Sequence, residues 1–145
     1  VKDMRPGDVF ITNDPWLGTG HLFDYVMMTP VFLGNKPVAI FASTCHVIDV
    51  GGVGMSARAF SSFEEGTLIP HLKLRKAGEI NEELLSIILA NSRNPIEVRG
   101  DLLSLVSANV AVPVNAAVAA NVLSDHSVAD APADQTGDID QVNLP

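Results

Sequence analysis

Two histidines and one aspartate, His21, Asp24 and His46, are the residues of this sequence best suited to metal chemistry. His21 and Asp24 stand three residues apart, so they can converge on one ion in a turn but point to opposite faces of an extended segment. Two imidazoles and one carboxylate form a ligand set that binds Mn, Fe or Zn and leaves positions open for substrate. The three residues therefore make a candidate metal site.

Ordinary structural roles are also open to these residues. His21 would then be a loop residue, Asp24 a turn residue and His46 a hydrogen-bonded strand end. A His-x-x-Asp spacing is a weak pattern, and spacing alone favours these structural roles.

A β-hairpin is the element that must position the three side chains. Residues 25–33 and 38–47 are apolar and β-rich, and the Gly-Asn-Lys-Pro sequence between them is typical of a turn. Antiparallel pairing would bring the residues just before 25 beside those around 47, so His21, Asp24 and His46 can meet. Because both runs are almost wholly apolar, we expect both strands to be mostly buried.

Two further aspartates are candidates for supporting roles. Asp14 lies in Asn-Asp-Pro, a sequence typical of turns, and the turn interpretation is favoured over a catalytic or ligand-orienting one. Asp49 follows His46 closely and could orient a ligand or be a fourth ligand. The glycine-rich residues 51–54 lack the Lys-Ser/Thr of a phosphate-binding loop and indicate a close backbone approach to a ligand or metal loop.

Two other features near these motifs favour structural roles. Glu64 and Glu65 precede a glycine, a pattern that favours a solvated turn; an acid/base role is the less favoured alternative. Cys45 neighbours His46 in a predicted strand, where their side chains point to opposite faces, so it is expected in the core rather than in a Cys–His pair.

The fold class expected from the remaining pattern is α+β. A hairpin-rich N-terminal part with metal-binding loops would be followed by two helices and a poorly ordered acidic tail. The other predicted elements are strands at 9–11 and 67–74, a helix at 81–91 capped by Asn81, and a helix that begins at Pro95 and ends or kinks at Pro113.

Composition narrows the class of protein. The chain has 145 residues, of which 47% are hydrophobic, and a net charge of −8, so it can bury a core but has no basic footprint for nucleic acid. No apolar run is long enough to cross a membrane and none resembles a signal segment, so we expect a cytoplasmic protein. Residues 100–145 contain six Asp and no Lys or Arg. We expect a globular segment at 1–110 and a divergent tail at 111–145, flexible from about residue 124.

Taken together, the motifs resemble the hydantoinase B, acetone carboxylase alpha-subunit and 5-oxoprolinase C-terminal-half family over about residues 4–110. The matching stretches are GDVFITNDPW (7–16), GTGHLFD (18–24), TPVF (29–32), HVIDVGG (46–52), FEEG (63–66), IP (69–70), KL (73–74), LANSR (89–93), Pro95 and RGD (99–101). Two positions depart from the pattern: Val47 stands where the family often has a second histidine, and His71 where it has a proline. The resemblance implies that His21, Asp24 and His46 bind a divalent metal, Mn, Fe or Zn.

The resemblance also implies a function. The chain would be a segment of a larger, metal-dependent, ATP-coupled enzyme subunit that hydrolyses a cyclic amide such as hydantoin or 5-oxoproline. The alternative within the family is carboxylation of a ketone such as acetone or acetophenone. ATP would be bound by a partner, the hydantoinase A-type (beta) subunit or half, and this segment alone would be inactive. Asp14 or Asp49 would orient a ligand histidine or act in acid/base chemistry. The alternative of another class is a non-catalytic assembly module.

Overall fold

A computed structural model describes residues 3–123, which form a five-stranded antiparallel sheet followed by helices. The elements in chain order are β1 (Val9–Thr12), β2 (Asp24–Leu33), β3 (Lys36–His46), α1 (Ser62–Glu65), β4 (Leu72–Lys76), β5 (Glu79–Ile80), α2 (Glu82–Ala90) and α3 (Pro95–Leu123). The strand order is β3-β2-β1-β4-β5. The expected α+β class, with its hairpin and two long helices, is confirmed, whereas the predicted flexible tail lies outside the described residues.

The predicted hairpin is formed by β2 and β3. Its register runs from Leu33 opposite Lys36 at the turn to Asp24 opposite His46 at the far end. One β-bulge interrupts the ladder, because Val31 pairs with Ala39 and Phe32 with Pro37, which leaves Val38 without an opposite residue.

The two hairpin strands differ in burial. Residues of β2 are mostly buried or half-buried, since the strand has a neighbour on each side. The expectation that β3 is mostly buried is wrong: most of its residues are exposed, because it is the edge strand of the sheet. The apolar composition of β3 is therefore a poor guide to how far its side chains are buried in the described part of the chain.

The hydrophobic core lies between one face of the sheet and the two long helices. Its fully or nearly fully buried side chains include Val9, Ile11, Tyr25, Met27, Leu74, Leu85, Ile88, Val98 and Leu102. Asn109 of α3 is buried with them, and its side-chain amide nitrogen donates to Ser43 of β3 and to the Leu105 carbonyl oxygen. This polar contact fixes α3 against the hairpin.

The helix predictions hold at three of the four ends. Asn81 caps α2, and its side-chain oxygen accepts a hydrogen bond from the Leu84 N–H at 3.4 Å. α3 begins at Pro95 as predicted, but it continues through Pro113 to Leu123 instead of ending there. A proline removes one helical hydrogen bond, and the alanine-rich sequence beyond it favours continuation. None of the helices described is both long and apolar enough to cross a membrane; the cytoplasmic location stays a prediction.

The strand expected at 67–74 begins later, at Leu72. The residues before it instead pair with Asn13: the Asn13 N–H donates to the Ile69 carbonyl oxygen at 3.2 Å, and the Ile69 N–H donates to Asn13 Oδ1 at 2.6 Å. Two small elements, β5 and α1, were not predicted; both are too short to carry a periodic signal.

Candidate metal centre

The structure brings His21, Asp24 and His46 together at the open end of the hairpin. His46 Nδ1 lies 2.8 Å from Asp24 Oδ1, and His21 Nε2 lies 3.4 Å from Asp24 Oδ2. Each of the three residues offers a ligand atom within 4.8 Å of the other two. The carboxylate thus lies between two imidazoles, with one oxygen toward each.

Two kinds of local structure produce this arrangement. Asp24 and His46 are opposite residues in the last pair of the β2–β3 ladder, and the Val47 N–H extends the pairing by donating to the Phe23 carbonyl oxygen at 2.9 Å. His21 precedes β2 in a bend, so it can fold back on Asp24 in the way that a turn allows. The His46 ring also stacks on Phe23, with centroids 5.6 Å apart and planes 16° from parallel.

The electrostatics of Asp24 suit a cation. Burial raises the pKa of this carboxyl, but hydrogen bonds with Thr19 and His46 and the two neighbouring imidazoles outweigh burial and lower the pKa below its ordinary value. Asp24 is therefore ionised at neutral pH. The side chains of His21 and His46 are 38% and 46% exposed, so the site is open to solvent.

One atom of the cluster has no hydrogen-bond partner. His21 Nδ1 is buried and is unsatisfied within residues 3–123. A buried polar atom without a partner is unfavourable. The other ring nitrogen, Nε2, faces the ionised Asp24 carboxylate, and a donor set of two imidazoles and one carboxylate fits a site that holds a divalent ion.

A cavity of about 460 Å³ adjoins the cluster on the side of His21. Its walls are formed by His21, Phe23, Glu65 and the loop residues Gly54, Met55, Ser56, Ala57 and Ala59. A small molecule in this cavity would reach His21 directly.

Asp49 is held away from the cluster by Arg93. Its Oδ1 accepts from Arg93 Nη2 at 2.5 Å and from the Gly51 N–H at 3.1 Å, and its Oδ2 accepts from Ser92 Oγ at 3.2 Å and from the Arg93 N–H. These hydrogen bonds, with Arg93 as the main cause, hold the pKa of Asp49 well below its usual range. Among the described residues Asp49 makes no hydrogen bond to His21 or His46, and it instead fastens the glycine loop.

The glycine loop makes the close backbone approach that the sequence indicated, but to protein rather than to a ligand. Gly52 has a φ of +58°, and a Cβ there would lie 2.4 Å from the Glu64 carbonyl oxygen. Gly51, at φ +82°, would place a Cβ 2.7 Å from the Asn91 carbonyl oxygen. Glycine is therefore required at both positions so that the loop can pack against α1 and the end of α2.

Asp14 is a turn residue in this structure, as its sequence favoured. Its Oδ1 accepts from the Trp16 N–H at 3.0 Å, and its carbonyl oxygen accepts from the N–H groups of Leu17 and Gly18. No hydrogen bond joins Asp14 to the histidines in the part of the chain described.

Two residues that sequence reasoning assigned to turns hold the loop of His21. The Asn13 side-chain amide donates to the Leu22 carbonyl oxygen at 2.9 Å and to the Thr67 carbonyl oxygen at 3.0 Å. Glu65 Oε1 accepts from the Leu22 N–H at 3.0 Å. Nothing in the local sequence reports these long-range contacts, although the paired glutamates beside a glycine were visible as a motif.

Comparison with known proteins gives one family. The family model described as hydantoinase B/oxoprolinase matches residues 1–118. The chain is 34% identical over 114 residues to an uncharacterised protein of Methanocaldococcus jannaschii, covering 76% of this chain and 20% of that protein. It is 35% identical over 111 residues to a 5-oxoprolinase of Dictyostelium discoideum, and the match covers 74% of this chain and 9% of that protein. It is 33% identical over 105 residues to the caprolactamase subunit beta of Pseudomonas jessenii, and the match covers 69% of this chain and 18% of that protein.

Two solved structures share the fold. The ATP-dependent caprolactamase from Pseudomonas jessenii superimposes with a TM-score of 0.70 at 28% identity, covering 79% of this chain and 20% of that one. A nucleotide-free acetone carboxylase superimposes with a TM-score of 0.72 at 22% identity, covering 82% and 16%, and this likeness concerns the fold alone. The chain thus spans a fifth or less of the length of each of these relatives.

Proposed function

Because the chain belongs to the hydantoinase B/oxoprolinase family, we propose that it is the metal-binding part of an ATP-coupled enzyme subunit that hydrolyses a cyclic amide C–N bond. The observation that carries the proposal is the convergence of His21, Asp24 and His46 beside a cavity. Residues of the type and spacing expected for a ligand set meet in space although the second histidine is remote in sequence.

The three residues would hold a divalent ion, Mn, Fe or Zn. When bound, such an ion acts as a Lewis acid that polarises a substrate oxygen or activates water. Asp24 supplies the negative charge and orients His46 through the 2.8 Å contact at Nδ1. Phe23 fixes the His46 ring by stacking and forms part of the cavity wall beside His21. The residues of this chain therefore contribute the ligands, their orientation and one wall of the substrate cavity.

Amide hydrolysis is favoured over ketone carboxylation by the relatives. Sequence similarity above 30% identity extends to proteins named 5-oxoprolinase and caprolactamase, whereas the acetone carboxylase shares only the fold. A lactam is common to the two named substrates. ATP would be bound by a hydantoinase A-type partner subunit or half. The name of the matching relative, caprolactamase subunit beta, supports the presence of a second subunit, and the ATP-dependent caprolactamase supports the use of ATP.

Metal content tests the proposed site. The purified chain should carry close to one equivalent of Mn, Fe or Zn by elemental analysis, and a His21→Ala, His46→Ala double variant should carry none. His71→Ala is the matched control, because His71 stacks on Phe10 outside the cluster and its loss should leave the ion in place. A folded wild-type chain without stoichiometric metal would favour the non-catalytic assembly module.

Measurements of turnover test whether ATP is bound by the partner subunit rather than by this chain. With the whole subunit that contains this segment and its partner subunit present, hydantoin, 5-oxoproline or caprolactam should stimulate ADP release, and the chain alone should release none. Lactam-dependent ATP hydrolysis by this chain without a partner would contradict the assignment of ATP to the partner.

A further inference from the structure

Glu65 stands at the junction between the glycine loop and the loop that carries His21. It is the last residue of α1, is half-buried, and lines the same cavity as His21. Its Oε1 accepts the Leu22 N–H across a separation of 43 residues. Glu65 therefore touches the backbone directly beside a proposed metal ligand.

The loop of His21 needs such a contact because strand pairing does not hold it. The ladder begins at Asp24, and Gly20 just before the histidine adopts a φ of +100°. The Leu22 side chain is fully buried, so its peptide groups must find partners inside the protein. Glu65 accepts the hydrogen bond of the Leu22 N–H and Asn13 donates to the Leu22 carbonyl oxygen, so the two peptide groups that flank Leu22 are both held.

Glu65 is in turn fixed by the elements around α1. The Val53 N–H donates to the Glu64 carbonyl oxygen at 2.9 Å, and the Thr67 N–H donates to the Val50 carbonyl oxygen at 2.8 Å. Gly52 packs directly on the backbone of Glu65. The Glu65 carboxylate therefore extends from a short helix whose backbone is tightly packed against the glycine loop.

We propose that Glu65 is a positioning residue for His21: it holds the metal-binding loop in place by accepting the Leu22 N–H. The inference rests on the proposed metal site for its functional consequence, and on the hydrogen bond itself for its structural part.

Metal affinity measured by titration calorimetry with Zn²⁺ and Mn²⁺ tests the functional part. Glu65→Ala should weaken binding about 10- to 100-fold, the range found when groups that support metal ligands are removed. Glu65→Gln, which keeps an acceptor oxygen, should restore affinity to near the wild-type value. Glu64→Ala is the matched control, because Glu64 accepts the Phe60 N–H from the same helix but touches no residue of the cluster. Wild-type affinity in a folded Glu65→Ala chain would overturn the proposal.

Hydrogen exchange of the Leu22 amide tests the structural part without any metal. Exchange should be faster in Glu65→Ala and unchanged in Glu65→Gln and Glu64→Ala. If the wild-type chain binds no ion, the proposed function fails, and the exchange measurement still decides whether Glu65 holds the loop. Should Glu65→Ala not fold, Glu65→Asp shortens the side chain by one methylene and is expected to show the same fast exchange. Unchanged Leu22 exchange in a folded variant lacking the contact would refute the positioning role.

Discussion

Asp24 and His46 are direct partners across the β2–β3 ladder, and His46 Nδ1 lies 2.8 Å from Asp24 Oδ1. Opposite residues of an antiparallel pair carry their side chains on the same face of the sheet and close together. Two of the three candidate ligands are therefore held by backbone pairing, and only His21 depends on the conformation of a loop. This asymmetry explains why the contacts of Leu22 with Glu65 and Asn13 matter for the site.

Removing the charge of Asp24 should weaken metal binding. Asp24→Asn keeps the size of the side chain but replaces an anionic ligand by a neutral one, and we expect the affinity for Zn²⁺ or Mn²⁺ to fall at least about tenfold by calorimetry. Asp14→Asn is the control, because an asparagine can still accept the Trp16 N–H. Equal affinities for the wild type and Asp24→Asn would exclude Asp24 as a ligand.

Removing Asp49 should destabilise the fold. Asp49→Ala leaves the N–H of Gly51 and the side chains of Ser92 and Arg93 without their acceptor. Since a hydrogen bond to a charged group contributes about 1.5–3 kcal/mol, the free energy of unfolding should fall by about 2 kcal/mol in urea titrations. Glu79→Gln, an exposed change on β5, should have no measurable effect. A stable Asp49→Ala chain would mean that the Arg93 contact contributes nothing.

The same carboxylate predicts a pH dependence of stability. The pKa of Asp49 is lowered in the folded state, so the unfolded chain binds its proton more readily. The stabilisation is therefore complete above the ordinary aspartate pKa of about 4 and is lost as the pH falls below it. Urea midpoints between pH 6 and pH 3 should fall for the wild type and fall less steeply for Asp49→Asn. Parallel curves for the two proteins would contradict this assignment.

A pair of glycine variants separates backbone strain from steric contact. Gly34 and Gly52 have φ values of +59° and +58°, but a Cβ at Gly34 meets nothing within 4 Å, whereas one at Gly52 meets the backbone of α1. Gly34→Ala should cost about 1–2 kcal/mol from the left-handed conformation alone. Gly52→Ala should cost more in urea unfolding and should also weaken metal binding, because it displaces the helix that carries Glu65. Equal losses of unfolding free energy in both variants would show that α1 moves aside without an energetic cost and would contradict this prediction.

The features that could be predicted from the sequence are those with a local signature. The hairpin follows from two apolar runs around a Gly-Asn-Lys-Pro turn, and its antiparallel geometry brings the region of Asp24 beside the region of His46. The Asn81 cap and the start of α3 at Pro95 have equally local causes. Turns and helix ends can be predicted from the sequence because they depend on residues that are close together in the chain.

The features that could not be predicted depend on distant partners. Glu65 and Asn13 look like turn residues, and their contacts with Leu22 are decided by how α1 and the loop pack in three dimensions. Asp49 stands near His46 in sequence, yet Arg93, remote in the chain, turns its carboxylate toward the glycine loop. The exposure of β3 likewise follows from its place at the sheet edge, which its apolar composition does not reveal.

The bulge at Val38 has a consequence for how this segment can change over evolutionary time. Its single extra residue near the turn is what places His46, rather than Cys45, opposite Asp24. Losing Val38 itself would only remove the bulge, whereas deleting one paired residue of β3 between the bulge and His46 would shift the end of the strand by one position and carry the imidazole to the other side of the sheet. Length changes in β3 between the bulge and the site should therefore survive in natural homologues only where β2 changes by the same number of residues, while the tip around Gly34 is free to vary.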